Sequence, residues 1–407
     1  MAERDVHVLY VVYWGALEPL GRALVLPAVK RLAALGPRIT LVTFDKPADA
    51  ARPADVRDAD AALAAAGVRW LSLRYHKRPQ VPATAFDVAH GVARGVAERL
   101  RDRPDVVHAR TFVGGLVGLP LSRLTGARLI YHNEGFYPDE MVDGGFWAEG
   151  SGPHRIAKAL ERRLYSRADA IFSLSRRGKE VIESLDPVRT SGTRVEVVPS
   201  CVDLDHFKPR EPVAEGNERL RLVYVGSVGG RYLVDRMGAF ARVARESSAG
   251  TRLDVITAAD SAVVRAALSA SELPEDAWAS KFVPYDRLPD ELGVHDAGFC
   301  FHSHRLSAAG GSSTKVGEYW AMGIPVIATR GLGDVDEIIA RERVGVVVRD
   351  HSDQAYRAAL DELRRLLEDA ELPDRCRSAA ERHYGLDEAC RHQVAVYQEL
   401  AGGRGGT

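Results

Sequence analysis

The sequence predicts two doubly wound α/β domains joined by a short linker. Three observations carry this. A chain of 407 residues is too long for one ordinary core. Apolar runs alternate with helical patterns along most of its length. The alternation also breaks once, at a polar and Pro-rich stretch, and then restarts.

The composition excludes several classes. With 46% hydrophobic residues, 27% charged and a net charge of −1, no global field would gather nucleic acid or an anionic membrane. No apolar run approaches the ~18 residues of a membrane span. The charged start Met1-Ala2-Glu3-Arg4-Asp5 shows no signal-peptide pattern. Cys201, Cys300, Cys376 and Cys390 are scattered without CxxC spacing, so neither a disulfide framework nor a zinc site is expected. A cytoplasmic protein without membrane association fits these features, and homo-oligomerisation is left open.

The first βαβ unit is read from apolar runs at Val6–Tyr13 and Ile39–Phe44 around a helical pattern at Arg22–Leu35. Alternation continues through a strand at Arg69–Leu73, a helix at Ala83–Arg101, a strand at Asp105–His108, a helix at Val113–Leu124 and a strand at Arg128–Tyr131. An irregular loop, Asn133–Gly152, precedes a helix at Ile156–Tyr165, a strand at Ala170–Leu174, a helix from Arg176 and a strand at Val195–Val198. Asp203–Glu218 reads as the linker. Strands follow at Leu220–Val225, Leu253–Ile256, Lys281–Val283, Gly298–His302, Pro325–Ala328 and Val344–Val348, and the chain after Ser352 is helical, with Gly385 as a stop. The expected domains are 1–205, with a last helix at 386–400 packing on it, and 206–385; residues 402–407 read as a disordered tail. Parallel sheets of this kind place ligands at the carboxyl ends of their strands, here expected in a cleft between domains.

One stretch concentrates the chemistry. Gly310, Gly311, Ser312, Ser313 and Thr314 lead into a helical pattern that runs through Lys315, Gly317, Glu318 and Trp320 to Gly323, followed by the strand Ile324–Thr329. Glycines and hydroxyls before a helix expose bare backbone N–H groups to an anion. Lys315 is misplaced for an unliganded helix, since a first-turn cation sits at the positive end of the dipole. An external phosphate resolves that. Gly317 and Ala321 are small enough for the helix to lie close on a sheet.

Several segments together resemble the retaining GT-B glycosyltransferases of the large family 4 type. Val197-Val198-Pro199-Ser200-Cys201-Val202-Asp203, followed by Phe207, is similar to the family's "IPNGVD…F" hinge. Pro104-Asp105-Val106-Val107-His108-Ala109 is similar to its "PDVVHAH" strand, and the stretch from Gly310 through "AMGIPVIAT" to its donor-site helix. The segment from Arg382-His383-Tyr384 through the last helix resembles the part that crosses back to the N-terminal domain. The resemblance implies two Rossmann-like domains facing across a cleft. It also implies sugar transfer with retention from a nucleotide-diphosphate sugar, UDP- or GDP-linked, to a small polar acceptor or a glycan, with neither cofactor nor metal. Departures are visible too: Gly310 stands where the family often has a first glutamate, Ser227 and Tyr232 where it has an Arg and a Lys, and Glu134 near its N-domain histidine.

On this reading the donor contacts are Gly226, Ser227, Arg231, Gly310, Gly311, Ser312, Ser313, Thr314, Lys315 and Glu318, the last on the ribose hydroxyls. His132, Glu134, His108 and Lys315 are the catalytic candidates, His132 and Glu134 as a polar pair past a strand end and His108 facing the cleft or serving structure. Gly15, Glu18, Gly21, Arg110, Asp139 and Glu140 are acceptor-side candidates. The glycines there would permit close backbone approach, or Tyr13–Arg22 is a plain turn. Phe136, Tyr137, Phe146 and Trp147 either stack on a sugar or aminocyclitol acceptor or pin their own loop. Asp334-Val335-Asp336-Glu337 lies near the family's acidic loop, or Asp334 with Glu337 forms a capping box. His302-Ser303-His304 has no partners that would make a metal site. An epimerase or phosphorylase of the same fold, and an inactive donor-binding partner subunit, are the rival readings.

Overall fold

The computed structural model describes residues 5–209, 219–303 and 306–403. The chain up to Pro199 together with the segment from Leu386 forms one compact unit, and Ser200–Gly385 forms the other. The boundary therefore falls six residues before the 205/206 position expected, because Ser200 and Val202 bond within the second unit: Ser200 to Ser312, and Val202 in a parallel bridge with Gly385. Residues 210–218 of the linker, the N-terminal Met1–Arg4 and residues 404–407 of the tail lie outside the described residues.

The first unit is built on β1 (His7–Val12), β2 (Arg38–Asp45), β3 (Val68–Arg74), β4 (Val106–Arg110), β5 (Arg128–Asn133), β6 (Ala170–Ser173) and β7 (Arg194–Val197). They form one sheet in the order β3-β2-β1-β4-β5-β6-β7, with every pair parallel. The second unit carries β8 (Arg221–Val225), β9 (Arg252–Ile256), β10 (Trp278–Lys281), β11 (Ala297–Cys300), β12 (Val326–Thr329) and β13 (Gly345–Val348), again all parallel, in the order β10-β9-β8-β11-β12-β13. β1 and β4 are buried along their whole length, as strands covered on both faces must be. Each sheet reverses its strand order at one place, between β1 and β4 and between β8 and β11. The loops leaving those strands frame the crevice where such folds bind ligands.

The last helix, Leu386–Gly402, belongs to the first unit, where Asp387 pairs with Arg31, Glu399 with Arg194, and Cys390 Sγ contacts the Ala28 carbonyl. It runs two residues past the expected end. Other departures have local causes. The helix expected at Arg22–Leu35 opens as a π turn, Gly21–Val25, and becomes α-helical at Leu26, because Pro27 has no N–H to continue the ladder. The loop Asn133–Gly152 holds a helix at Tyr137–Asp143. The strand expected at Lys281–Val283 lies earlier, at Trp278–Lys281, leaving Phe282 exposed. The Ala- and Asp-rich helix Pro53–Ala65 buries Leu63 alone, so it has no apolar stripe for periodicity to reveal. Among the described residues no helix is long and apolar enough to cross a membrane.

Candidate active site

In the second unit the chain leaves β8 through Gly226 at φ +145. The backbone there favours glycine, and a Cβ would lie 3.0 Å from the Tyr224 hydroxyl and 3.3 Å from Lys315 Cε, the lysine that crosses it. Lys315 comes from the first turn of the helix Thr314–Ala321. It is 6% exposed, with its ammonium 4.1 Å from the ring centroid of Tyr232 and 5.4 Å from that of Tyr224. The rings offset part of the cost of burying this cation, since no described residue gives it a carboxylate within ion-pair distance.

Glu318 lies one turn later and is also 6% exposed, and its carboxylate has no hydrogen-bond or ion-pair partner among the described residues. Burial pushes its carboxyl up to about 7, against the pull of Lys315. The loop before the helix is held by neighbours. Ser312 accepts from the Ser200 N–H at 3.2 Å, and its carbonyl accepts from the Ser200 hydroxyl at 3.0 Å. At the helix itself, Val225 N–H donates to the Tyr319 hydroxyl, tying it to the end of β8. Gly317 is close-packed, but on Tyr384 and Val202 rather than on the sheet.

Gly226 and Lys315 are thus brought together, and Ser227, Gly229, Gly230 and Arg231 lie exposed on the loop between Gly226 and Tyr232. Ser227 accepts from Tyr224 through its carbonyl, and Arg231 accepts from Ser303 N–H through its own. Gly310 is buried, while Gly311, Ser313 and Thr314 are half-buried. Tyr224 and Tyr232 are the residues that the sequence reasoning missed as part of this site. The signal was the aromatic at 232 where the related pattern has a cation. The Asp334 side chain makes no capping hydrogen bond to its helix, so that half of the expected capping box is absent. His302 is buried against Tyr232, and His304 lies outside the described residues. Among the described residues no group of three His, Cys, Asp or Glu side chains is placed to hold a metal ion.

In the first unit, Arg110 at the end of β4 donates through Nε to Glu134 Oε1 and through a terminal nitrogen to the Tyr10 hydroxyl, with its guanidinium 5.7 Å from the Trp14 ring centroid. His132 and Glu134 do lie together, with Nε2 3.7 Å from Oε1. His108 does not face solvent. It is 0% exposed, and both ring nitrogens are engaged, by Tyr397 and by His132. Burial, with the Arg110 charge second, drops both imidazoles well below the usual histidine range, so both are neutral. Thr111, which follows Arg110 at the end of β4, holds φ +74 while its side chain accepts from Gly114 N–H to cap the next helix, a strained geometry for a β-branched residue at the strand-order reversal.

The other acceptor-side candidates serve their own segments. Glu18 accepts from Gly15 N–H and pairs with Lys46 at 2.6 Å. A Cβ on Gly21 would fall 2.1 Å from the Gly15 carbonyl oxygen, so the close approach it permits is that of its own turn. Asp139 pairs with Lys158 at 2.9 Å, and Glu140 folds over Gly135. Phe136 is buried, Tyr137 stacks on Phe112 at 4.9 Å and Trp147 meets Tyr137 edge-on, so these aromatics pin the loop; Phe146 is 73% exposed.

Two family models match the chain, a glycosyl transferase 4-like domain at residues 21–201 and a glycosyl transferases group 1 domain at residues 214–383. The chain is a glycosyltransferase. No curated protein matches it significantly. Among solved structures this glycosyltransferase is similar to a sucrose-phosphate synthase from Thermosynechococcus elongatus, at 14% identity over 98% of this chain and 100% of that one, with a TM-score of 0.71. A glycosyltransferase from Rickettsia africae matches at 12% identity, over 98% and 99%, with a TM-score of 0.68. The Anabaena protein HepE in complex with UDP-glucose matches at 13%, over 97% and 100%, with a TM-score of 0.63. At such identities the likeness shows the GT-B fold.

Proposed function

We propose that this glycosyltransferase moves a sugar from a nucleotide-diphosphate donor to a hydroxyl of a small polar acceptor or glycan, with retention and without a metal, in the manner of family 4. The carrying observation is the buried Lys315 ammonium, stacked on Tyr232 beside the bare backbone of Gly226 and lacking any carboxylate partner among the described residues. A diphosphate supplies the missing negative charge, and the partnerless Glu318 one turn away accepts from ribose hydroxyls. HepE, which shares the fold, has been solved with UDP and with UDP-glucose, and this supports a sugar nucleotide as the ligand.

Breaking the anomeric C–O bond leaves negative charge on the diphosphate. Lys315 and the N–H groups at the helix start stabilise that charge where it grows, which lowers the barrier as well as the dissociation constant. The acceptor oxygen attacks the face the diphosphate leaves, and its proton passes to a departing phosphate oxygen, so no protein nucleophile is required. Thermal stabilisation and slow donor hydrolysis across a panel of UDP- and GDP-sugars, with chelator present, test the reading. Stabilisation and hydrolysis by at least one donor are expected. No response to any of them overturns it, and stabilisation without turnover in the presence of acceptors favours the inactive-subunit alternative.

A further inference from the structure

A line of polar groups runs from the last helix to the end of β5. Tyr397, fully buried, shares its hydrogen bond with Nδ1 of His108 at 2.5 Å, and Nε2 of His108 lies 3.0 Å from Nδ1 of His132. Nε2 of His132 is buried and has no hydrogen-bond partner, yet it lies 3.7 Å from Glu134 Oε1. Glu134, whose Oε1 also accepts from the Arg110 Nε–H, has the most exposed side chain of the three, 17% against 2% for His132 and 5% for Arg110.

The phenol decides where the protons are. Burial keeps Tyr397 protonated and both imidazoles neutral. A buried O–H donates wherever an acceptor is offered, and His108 Nδ1 is the acceptor in reach. A neutral imidazole has one donor and one acceptor, so the first bond sets the rest. His108 carries its proton on Nε2 and gives it to His132 Nδ1; His132 then carries its own proton on Nε2.

We propose that Tyr397, His108 and His132 are a positioning chain of fixed tautomer that presents an N–H to Glu134, and that Glu134 is the carboxylate which accepts a hydrogen bond from a substrate sugar hydroxyl. The proposal rests on the transfer reading above. A carboxylate suits that place because it accepts only and hydroxyls donate. His132, already protonated on its forward nitrogen, is a donor and not a general base.

Nitrogen-15 NMR of the histidine rings in the full chain, assigned with His108→Gln and His132→Gln, reads the tautomers without needing turnover. Both rings are expected as Nε2–H between pH 6 and 8, and Tyr397→Phe is expected to populate the Nδ1–H form of both. A wild-type His132 protonated on Nδ1, or a Tyr397→Phe spectrum identical to wild type, overturns the chain. In kinetics, Tyr397→Phe should lower kcat roughly 3- to 10-fold, the size of one lost hydrogen bond, with donor KM within about twofold. Glu134→Ala, which removes the accepting oxygens, transferring sugar at the wild-type rate overturns its substrate role. Failure of the transfer reading is distinguishable, because the wild type would then transfer no sugar while its ring tautomers remained readable.

Discussion

Glu318→Gln should stabilise the protein, by an amount that grows as pH rises above about 4.5. The carboxyl is held at about 7 in the folded chain against 4.5 ordinarily, because burial disfavours its charge more than Lys315 favours it. Between those values the folded state binds the proton that the unfolded chain has released. This contribution to stability is therefore full below about pH 4.5, falls as pH rises, and levels off above about pH 7. The shift corresponds to about 3 kcal/mol lost across that window. Glutamine keeps the shape and never ionises. The variant should match wild type near pH 4.5 and exceed it by roughly 2–3 kcal/mol at pH 8. Urea unfolding at the two pH values measures this. Trp278 and Trp320 report on the unit concerned, Trp320 being fully buried with its indole N–H on the Val344 carbonyl. Equal differences at both pH values would refute the reasoning, since the carboxylate would then not be paying a desolvation cost. Ligand binding should show the converse: if ribose hydroxyls bond the ionised form, nucleoside-diphosphate affinity rises with pH up to about 7 in wild type and is flat in the variant.

Lys315→Ala should weaken nucleoside-diphosphate binding roughly 10- to 100-fold, the size of a charge-assisted hydrogen bond, while nucleoside affinity measured by the same calorimetry stays within about threefold. Gly21→Ala should cost at least about 2 kcal/mol in thermal or urea unfolding, because the added methyl meets the Gly15 carbonyl at 2.1 Å. Phe146→Ser should leave stability within about 0.5 kcal/mol, since the ring is largely exposed, and should raise the acceptor KM if that ring stacks on the acceptor.

Much of the fold was legible because both sheets are parallel and buried, so each strand is an apolar run that stands out from the amphipathic helices between them. The helices at Pro47–Ala50, Pro53–Ala65 and Asp186–Ser191 were not, since they bury almost nothing. In the candidate donor site, Lys315 and Glu318 were readable because a cation in a first helical turn is anomalous without an anion. Tyr224 and Tyr232 were not, because their part depends on Lys315 crossing the turn at Gly226, a contact between residues about 90 positions apart. The acceptor-side list fared differently. Glu18 and Asp139 are bonded within their own neighbourhoods, and no local pattern distinguishes such carboxylates from ones that meet a ligand.

The sequence by itself determined the two α/β units, their strand alternation and the glycine- and hydroxyl-rich helix start with Lys315, because periodicity and dipole chemistry are local. Only the tertiary structure decided which polar groups face one another. It buried His108 completely, joined it to Tyr397 across 289 positions of the chain, and left Glu134 as the more exposed end of that line. Hydrogen bonds between distant residues leave no spacing to read; burial and geometry alone select them.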